Sequence, residues 1–186
     1  MIRILAVIAT LAFVAPAMAQ PLPANLDKKN AIVIDTTKGR IVIKLRTDIA
    51  PKHAEQIKLL TREGFYNNVP FHRVMAGFMA QTGDGQNFDG TGHSSHPNVP
   101  DEFSNTPFTR GTVGMASTSA PNSSNSQFFI CFDNASFLDG KYSVVGEVVS
   151  GMDVADKLKK APPGSQSGAV TDPDKMVKVQ VASDIK

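Results

Sequence analysis

The side chains whose types and spacing could do chemistry gather between Phe71 and Asp84, in the run Phe-His-Arg-Val-Met-Ala-Gly-Phe-Met-Ala-Gln-Thr-Gly-Asp. Two short apolar runs flank Ala76-Gly77, and the polar groups set among them are Arg73 and Gln81. If Phe71 to Met75 is a strand, alternate residues share a face, so Phe71, Arg73 and Met75 point one way. A cation beside two large apolar groups is costly in a closed core. It fits the rim of an apolar pocket, where a guanidinium can meet a ligand's carbonyl or carboxylate. The competing reading, an arginine snorkelling off a half-buried strand, stays open on this stretch alone.

Other chemistries find no support. There is no G-x-S-x-G elbow, no Walker A loop, no G-x-G-x-x-G and no H-E-x-x-H. His93 and His96 lie three apart in a loop without a third ligand at a recognisable spacing, and read as surface histidines. Asp84 to Asp89 fails the EF-hand pattern, because Gln86 and Phe88 hold the wrong positions and no Glu falls at the twelfth. Asn122-Ser123-Ser124 and Asn134-Ala135-Ser136 fit the glycosylation sequon, which matters only in a eukaryotic secretory route. Cys131 is the single cysteine, so no internal disulfide or zinc framework is possible. Set in Phe128-Phe129-Ile130-Cys131-Phe132, it reads as a buried, inert thiol.

At 186 residues with 12 Pro and 14 Gly, the chain is long enough for one turn-rich globular domain. Net charge is +2, and the charges are interspersed, so there is no field to hold nucleic acid or an anionic membrane. Met1-Ile2-Arg3, the apolar run from Ile4 to Val14 and the A-x-A pattern Ala17-Met18-Ala19 read as a secretory signal peptide. Its apolar core is about half a membrane span. The mature chain is expected to start near Gln20, to be soluble and periplasmic, and to have no lipid anchor.

The elements that must position Arg73 and Gln81 follow from pattern. Residues 20–30 form a loose lead-in. Ala31 to Thr36 and Arg40 to Arg46 make a hairpin around Thr37-Lys38-Gly39. A helix over 50–63 has Asp48 as a candidate cap, Pro51 in its first turn and Gly64 as its stop. Gly111 to Ala116, Gln127 to Phe132, Ser143 to Val149 and Met176 to Ala182 read as strands, and Gly151 to Ala161 as a short helix. The Gly-rich stretch from Asp84 to Phe108 is long enough to be functional or a lid. Many short strands with two helices argue for a closed or nearly closed β-barrel.

Four blocks in register resemble the cyclophilin family of peptidyl-prolyl cis-trans isomerases. They are Phe71-His72-Arg73-Val74 with Gly77-Phe78-Met79 and Gln81, then Gly114-Met115-Ala116, Ser126-Gln127-Phe128-Phe129-Ile130, and Phe137-Leu138-Asp139-Gly140-Lys141. The match runs from Ala31 to Val181 and is most similar in character to bacterial periplasmic cyclophilins, with Phe137 and Tyr142 where many members have Trp and His. The resemblance implies a mainly β fold, a closed eight-stranded antiparallel barrel capped by two α-helices, over residues 31–186.

It further implies that Arg73 is the catalytic arginine and that Phe78, Met79, Phe129 and Leu138 wall a proline pocket. Gln81 and Gln127 would be its polar contacts, with Phe137 and Tyr142 beside it. Ala116 and Ser117 would pair with the substrate backbone; Ser117 replaces a common Asn, which a main-chain contact tolerates. Ala76 stands for a usual Pro and Thr82 for a usual Gly. His72 reads as structural. No metal or cofactor is implied, the expected partners are proline-containing unfolded or partly folded polypeptides, and a monomer is expected. Family members that bind cyclosporin tightly offer an indole N–H at the position of Phe137, so binding here is expected to be weak.

The chemistry fits these residues without the name. An X–Pro amide rotates over a barrier of about 18–20 kcal/mol set by N–C resonance, in tens to hundreds of seconds. Lowering it requires neither nucleophile nor metal. Two other readings stand beside this one. A proline-binding module without turnover would lack Arg73 or the pocket aromatics, and a partner-binding barrel would carry aromatic anchors in the Asp84 to Phe108 loop, where Phe88 and Phe103 qualify.

Overall fold

The computed structural model describes residues 21–186; the expected signal peptide, residues 1–19, lies outside the described residues. In the lead-in, Leu22 and Leu26 pack against Ala31, Val33, Val42 and Ala182. β1 (Ala31–Thr36) and β2 (Gly39–Leu45) form the expected hairpin, with Thr36 opposite Gly39. Gly39 sits at φ +133, a backbone that side chains rarely adopt. Ile32, Ile34, Ile41, Ile43 and Leu45 enter the main core, while Val33 and Val42 are buried on the opposite face under Leu22 and Leu26. Both faces being covered explains why β2 reads as continuously apolar rather than alternating.

α1 (Pro51–Arg62) begins with proline in its first turn and has no cap from its own neighbourhood. The expected cap, Asp48, instead makes a two-point ion pair with Arg46 at 2.8 and 2.7 Å. Glu102 accepts from the first-turn amides of Lys52 and His53, at 3.1 and 3.0 Å, so the cap comes from the long loop. The helix ends where Gly64, at φ +74, lets the Phe65 amide reach back to the Leu60 carbonyl.

Then come β3 (Val69–Pro70), β4 (Arg73–Met75), β5 (Met79–Thr82), β6 (Thr112–Met115), β7 (Phe128–Cys131), β8 (Val144–Ser150), α2 (Met152–Ala155) and β9 (Lys175–Val181). α2 is shorter than the helix expected over 151–161. One sheet holds all nine strands in the order β3-β9-β1-β2-β8-β6-β7-β5-β4. This corrects the closed eight-stranded barrel: the sheet is an open, curled half-barrel, and among the described residues no ladder joins β3 to β4. The reason is connectivity. Both edges are carried by one short run, Val69 to Met75, which pairs with β9 at its β3 end and with β5 at its β4 end instead of turning back on itself. The seam at Phe71-His72 is bonded to the 168–174 segment instead: the Phe71 amide donates to the Asp174 carbonyl at 2.9 Å, and the Val170 amide to the His72 carbonyl at 3.0 Å.

The main core lies inside the curl, under α1. A second, smaller cluster of Met79, Phe108, Phe129, Cys131, Ala135, Leu138 and Val144 lies apart from it. No helix among the described residues is long and apolar enough to cross a membrane.

Candidate active site

Strand alternation divides the residues of β4, β5, β6 and β7 between these two clusters. Val74, Ala80, Val113, Met115, Phe128 and Ile130 enter the main core. Their neighbours Met75, Met79, Phe129 and Cys131 go with the second cluster. Arg73 faces Gln81, Gln81 faces Phe129, and Phe129 faces Gly114, so one cross-strand row runs through four strands. Phe71 departs from the face it was expected to share with Arg73 and Met75: it is fully buried in the main core. The strand begins only at Arg73, and the intervening Phe71-His72 turns the alternation over.

A pocket of about 140 Å³ opens over this row. It is lined by Arg73, Phe78, Met79, Gln81, Ala116, Ser117, Phe129, Leu138 and Tyr142. Gln127 lies beside it, in an adjoining cavity of about 170 Å³ with Gly90, Gly92 and Asn125. Phe137 sits at the rim, 60% exposed, its ring 5.3 Å from that of Phe78. Tyr142 meets Phe129 edge-on at 6.0 Å. Phe129 lies flat because Gly114 beneath it has no side chain: a Cβ there would fall 2.5 Å from the Phe129 ring and 2.6 Å from that of Phe108.

Arg73 is held by its stem and Nε rather than by its tip. Nε donates to the Ser167 carbonyl at 2.9 Å, and Gly168 packs against the Arg73 stem, where a Cβ would come within 3.2 Å of Cγ. The terminal nitrogens meet weak or distant acceptors: Nη1 the Gln81 Oε1 at 3.3 Å and the Met79 sulfur at 3.7 Å, Nη2 the Met75 sulfur at 3.2 Å. Burial lowers the Arg73 pKa and the nearby Tyr142 opposes that; the guanidinium stays charged at any physiological pH.

Behind Arg73 runs a chain of amides. Gln81 Nε2 donates to Gln127 Oε1 at 2.9 Å, and Gln127 Nε2 donates to the carbonyls of Gly90 and Gly92 at 2.9 and 2.7 Å. The loop carrying those carbonyls is gathered round one buried carboxylate. Asp84 Oδ1 accepts from the amides of Gln86 and Asn87, and Oδ2 from those of Asp89, Gly90 and Gly92. Burial alone would raise the Asp84 pKa, but the converging amides outweigh it and hold it near 2. His72 packs under this loop against Gly90, and burial lowers its pKa against the pull of Asp84 and Asp89.

Met75, Asp84, Gly114 and the Ser167-Gly168 pair were not singled out as site residues from the sequence. Gly83-Asp84-Gly85 inside a glycine-rich stretch was the available signal for Asp84, since an Asx residue there can gather backbone amides. Nothing local marked Ser167.

The family model described as cyclophilin type peptidyl-prolyl cis-trans isomerase/CLD matches residues 31–181. The chain belongs to this family. A cyclophilin-type domain is a peptidyl-prolyl cis-trans isomerase, an enzyme of rotation about the bond before proline. Among curated cyclophilin relatives, the protein of Brucella suis biovar 1 named Probable peptidyl-prolyl cis-trans isomerase is 50% identical over 96% of each chain. The peptidyl-prolyl cis-trans isomerase of Acinetobacter baylyi is 37% identical, over 82% of this chain and 85% of its own. Of solved structures, a cyclophilin of Hirschia baltica superposes with TM-score 0.76 at 30% identity, covering 87% of this chain and 77% of that one. A Cryptosporidium parvum cyclophilin crystallised in the presence of the dipeptide Ala-Pro gives TM-score 0.72 at 26% identity, covering 81% and 98%.

Proposed function

We propose that the pocket walled by Phe78, Met79, Phe129 and Leu138 takes the proline ring and that Arg73 catalyses rotation of the preceding amide. The observation that carries this reading is the state of the guanidinium. It is anchored through Nε, yet its outer donors rest on thioether sulfurs and one long amide contact. Substrate groups displace such partners at little cost. As the X–Pro bond twists, resonance is lost and the prolyl nitrogen becomes a pyramidal acceptor, so a donor aimed at it binds the twisted state more tightly than either planar one. Removing about 6–8 kcal/mol from the barrier corresponds to about 10⁴–10⁶-fold acceleration. Ala116 and Ser117 hold the substrate backbone, Gln81 and Gln127 are the polar contacts of the pocket, and Phe137 and Tyr142 border the chain beyond the ring.

The substrates are proline-containing stretches of unfolded or partly folded polypeptides, met by a monomer during the folding of exported proteins. Support for export comes from Arg3, the Ile4 to Val14 run and Ala17-Met18-Ala19. Cleavage after Ala19 then leaves a periplasmic chain, with a short lead-in before the isomerase domain at 31–186. Mature protein that still begins at Met1 by mass spectrometry would count against export.

The mechanism is tested with Arg73→Lys and Arg73→Ala in a protease-coupled X–Pro peptide assay. A single donor on a flexible stem cannot reproduce a planar fork anchored at Nε. Both variants should lose about 10²–10³-fold in kcat/KM, equivalent to about 3–4 kcal/mol, with peptide affinity and Tm little changed. Activity loss that merely tracks early melting would return Arg73 to a supporting role.

A further inference from the structure

We propose that Met75 is an oxidation switch on the arginine of the pocket: a peroxide converts its thioether to a sulfoxide, and the new oxygen captures the guanidinium. The inference rests on the assignment of Arg73 to the prolyl nitrogen. Two observations carry it. The Met75 sulfur lies 3.2 Å from Arg73 Nη2. Met75 is also half-buried, whereas Met79, Met115 and Met176 are exposed by 1% or less. Met152 is the other half-buried methionine among the described residues; it lies on α2 beside Gly111, whereas Met75 packs with the second cluster and touches the guanidinium that lines the pocket.

The step balances with hydrogen peroxide as oxidant. A sulfur lone pair takes one peroxide oxygen, the O–O bond breaks, sulfur is oxidised by two electrons, and the second oxygen leaves as water. The product replaces a weak acceptor with a strong, negatively polarised oxygen. Such an oxygen makes a short charge-assisted bond to a guanidinium, where the thioether made a poor one. The stem cannot swing clear, because Met75 Cγ packs against Gly168, where even a Cβ would come within 2.5 Å. Rotation about the Cγ–Sδ bond exchanges methyl and oxygen, so either sulfoxide epimer can present oxygen to Arg73. The donor that must meet the prolyl nitrogen is then already engaged, and the loss falls on kcat rather than on peptide binding. The sole thiol does not confound this, since Cys131 is fully buried and burial pushes its pKa up to about 12.

The full chain is treated with hydrogen peroxide, sulfoxide at Met75 and Met152 is mapped by peptide mass spectrometry, and kcat/KM is read on an X–Pro peptide. Met75→Leu is treated in parallel, and each protein is compared with its own untreated rate. Conversion of Met75 should lower kcat/KM about tenfold, as one strong competing hydrogen bond would. Methionine sulfoxide reductases A and B together should restore the rate, and Met75→Leu should resist peroxide even when Met152 is oxidised. The proposal is overturned if Met75 remains a thioether while Met152 reacts, if fully converted Met75 leaves the rate unchanged, or if Met75→Leu is inactivated equally. Arg73→Ala in the same assay separates the two readings. Should it keep the native rate, the assignment of Arg73 fails and the switch with it. Should it lose the rate while oxidised protein does not, only the switch fails.

Discussion

Asp84→Asn tests whether the loop behind the pocket acts on catalysis or only on the fold. In the native protein the two carboxylate oxygens divide five amides, two on Oδ1 and three on Oδ2. An asparagine keeps the shape but turns one oxygen into a donor, which must face at least two N–H groups. Losing two bonds to a charged acceptor, partly replaced by water, costs about 2–3 kcal/mol. For a chain of this size that is a fall in Tm of about 4–12 °C. The loop's carbonyls at Gly90 and Gly92 hold Gln127, which holds Gln81 beside Arg73. If that chain orients the arginine, Asp84→Asn and Gln127→Ala each lower kcat/KM about tenfold, and the double variant also about tenfold, because both cut the same path. The assay is the protease-coupled reaction well below the lowest Tm, with Tm followed by circular dichroism. A double variant down about a hundredfold would show two independent effects and refute the relay. A lowered Tm with native kcat/KM would make Asp84 a residue of the fold alone.

Gly114→Ala should raise KM several-fold and cost about 1–3 kcal/mol, because its Cβ would displace the Phe108 and Phe129 rings into the pocket; native Tm and KM would show that the rings yield elsewhere. Phe137→Trp should tighten cyclosporin binding by adding an indole donor at the exposed rim, and tight binding by the unmodified protein in calorimetry would sink that reasoning. His53 and His72 both have pKa values lowered by burial, partly opposed by Glu102 for the first and by Asp84 and Asp89 for the second. The unfolded chain therefore takes up protons first, so stability is complete above about pH 6.5 and declines as the pH falls toward the folded values; a Tm that stays level from about pH 7 to 5 would contradict this.

What was legible in the sequence was whatever depends on neighbours in the chain. The hairpin at Thr37-Lys38-Gly39, the proline start of α1 and the strands at 112–115 and 128–131 all follow from local pattern. The residues that line the pocket stand in or beside the contiguous blocks that carry the family resemblance, which is why they could be named from the sequence. What pattern could not supply was partnership across long separations. Glu102 caps α1 from 49 and 50 residues away, and the Ser167 carbonyl holds Arg73 from 94 away. Asp48 had the right type for a cap but satisfied its charge with Arg46. The shared face of Phe71 and Arg73 failed because period-two reasoning holds only while the backbone stays in a strand. Closure of the barrel failed at β3 and β4, which pair with β9 and β5 respectively and not with each other, a choice no local pattern in Val69 to Met75 announces.

The placement of Arg73 on an edge strand explains how a cation can sit on an apolar site at all. β4 is three residues long and pairs with β5 alone among the strands, its other side meeting the 168–169 segment. Val74 alone points into the main core, so the strand is fixed by one buried side chain and its ladder while Arg73 and Met75 stay half-exposed on the other face. A fully buried guanidinium would need all its donors bonded, and bonded donors could not turn to a twisting prolyl nitrogen. A fully exposed one would be anchored by nothing and weakened by water. The edge position lets the Nε be fixed by a carbonyl while the fork rests on two sulfurs and one long amide contact, acceptors that the substrate of the proposed mechanism would displace. That same weakness is why the proposed switch falls on Met75: if Arg73 serves the prolyl nitrogen, whatever strengthens the sulfur's hold on the fork withdraws the donor from the reaction.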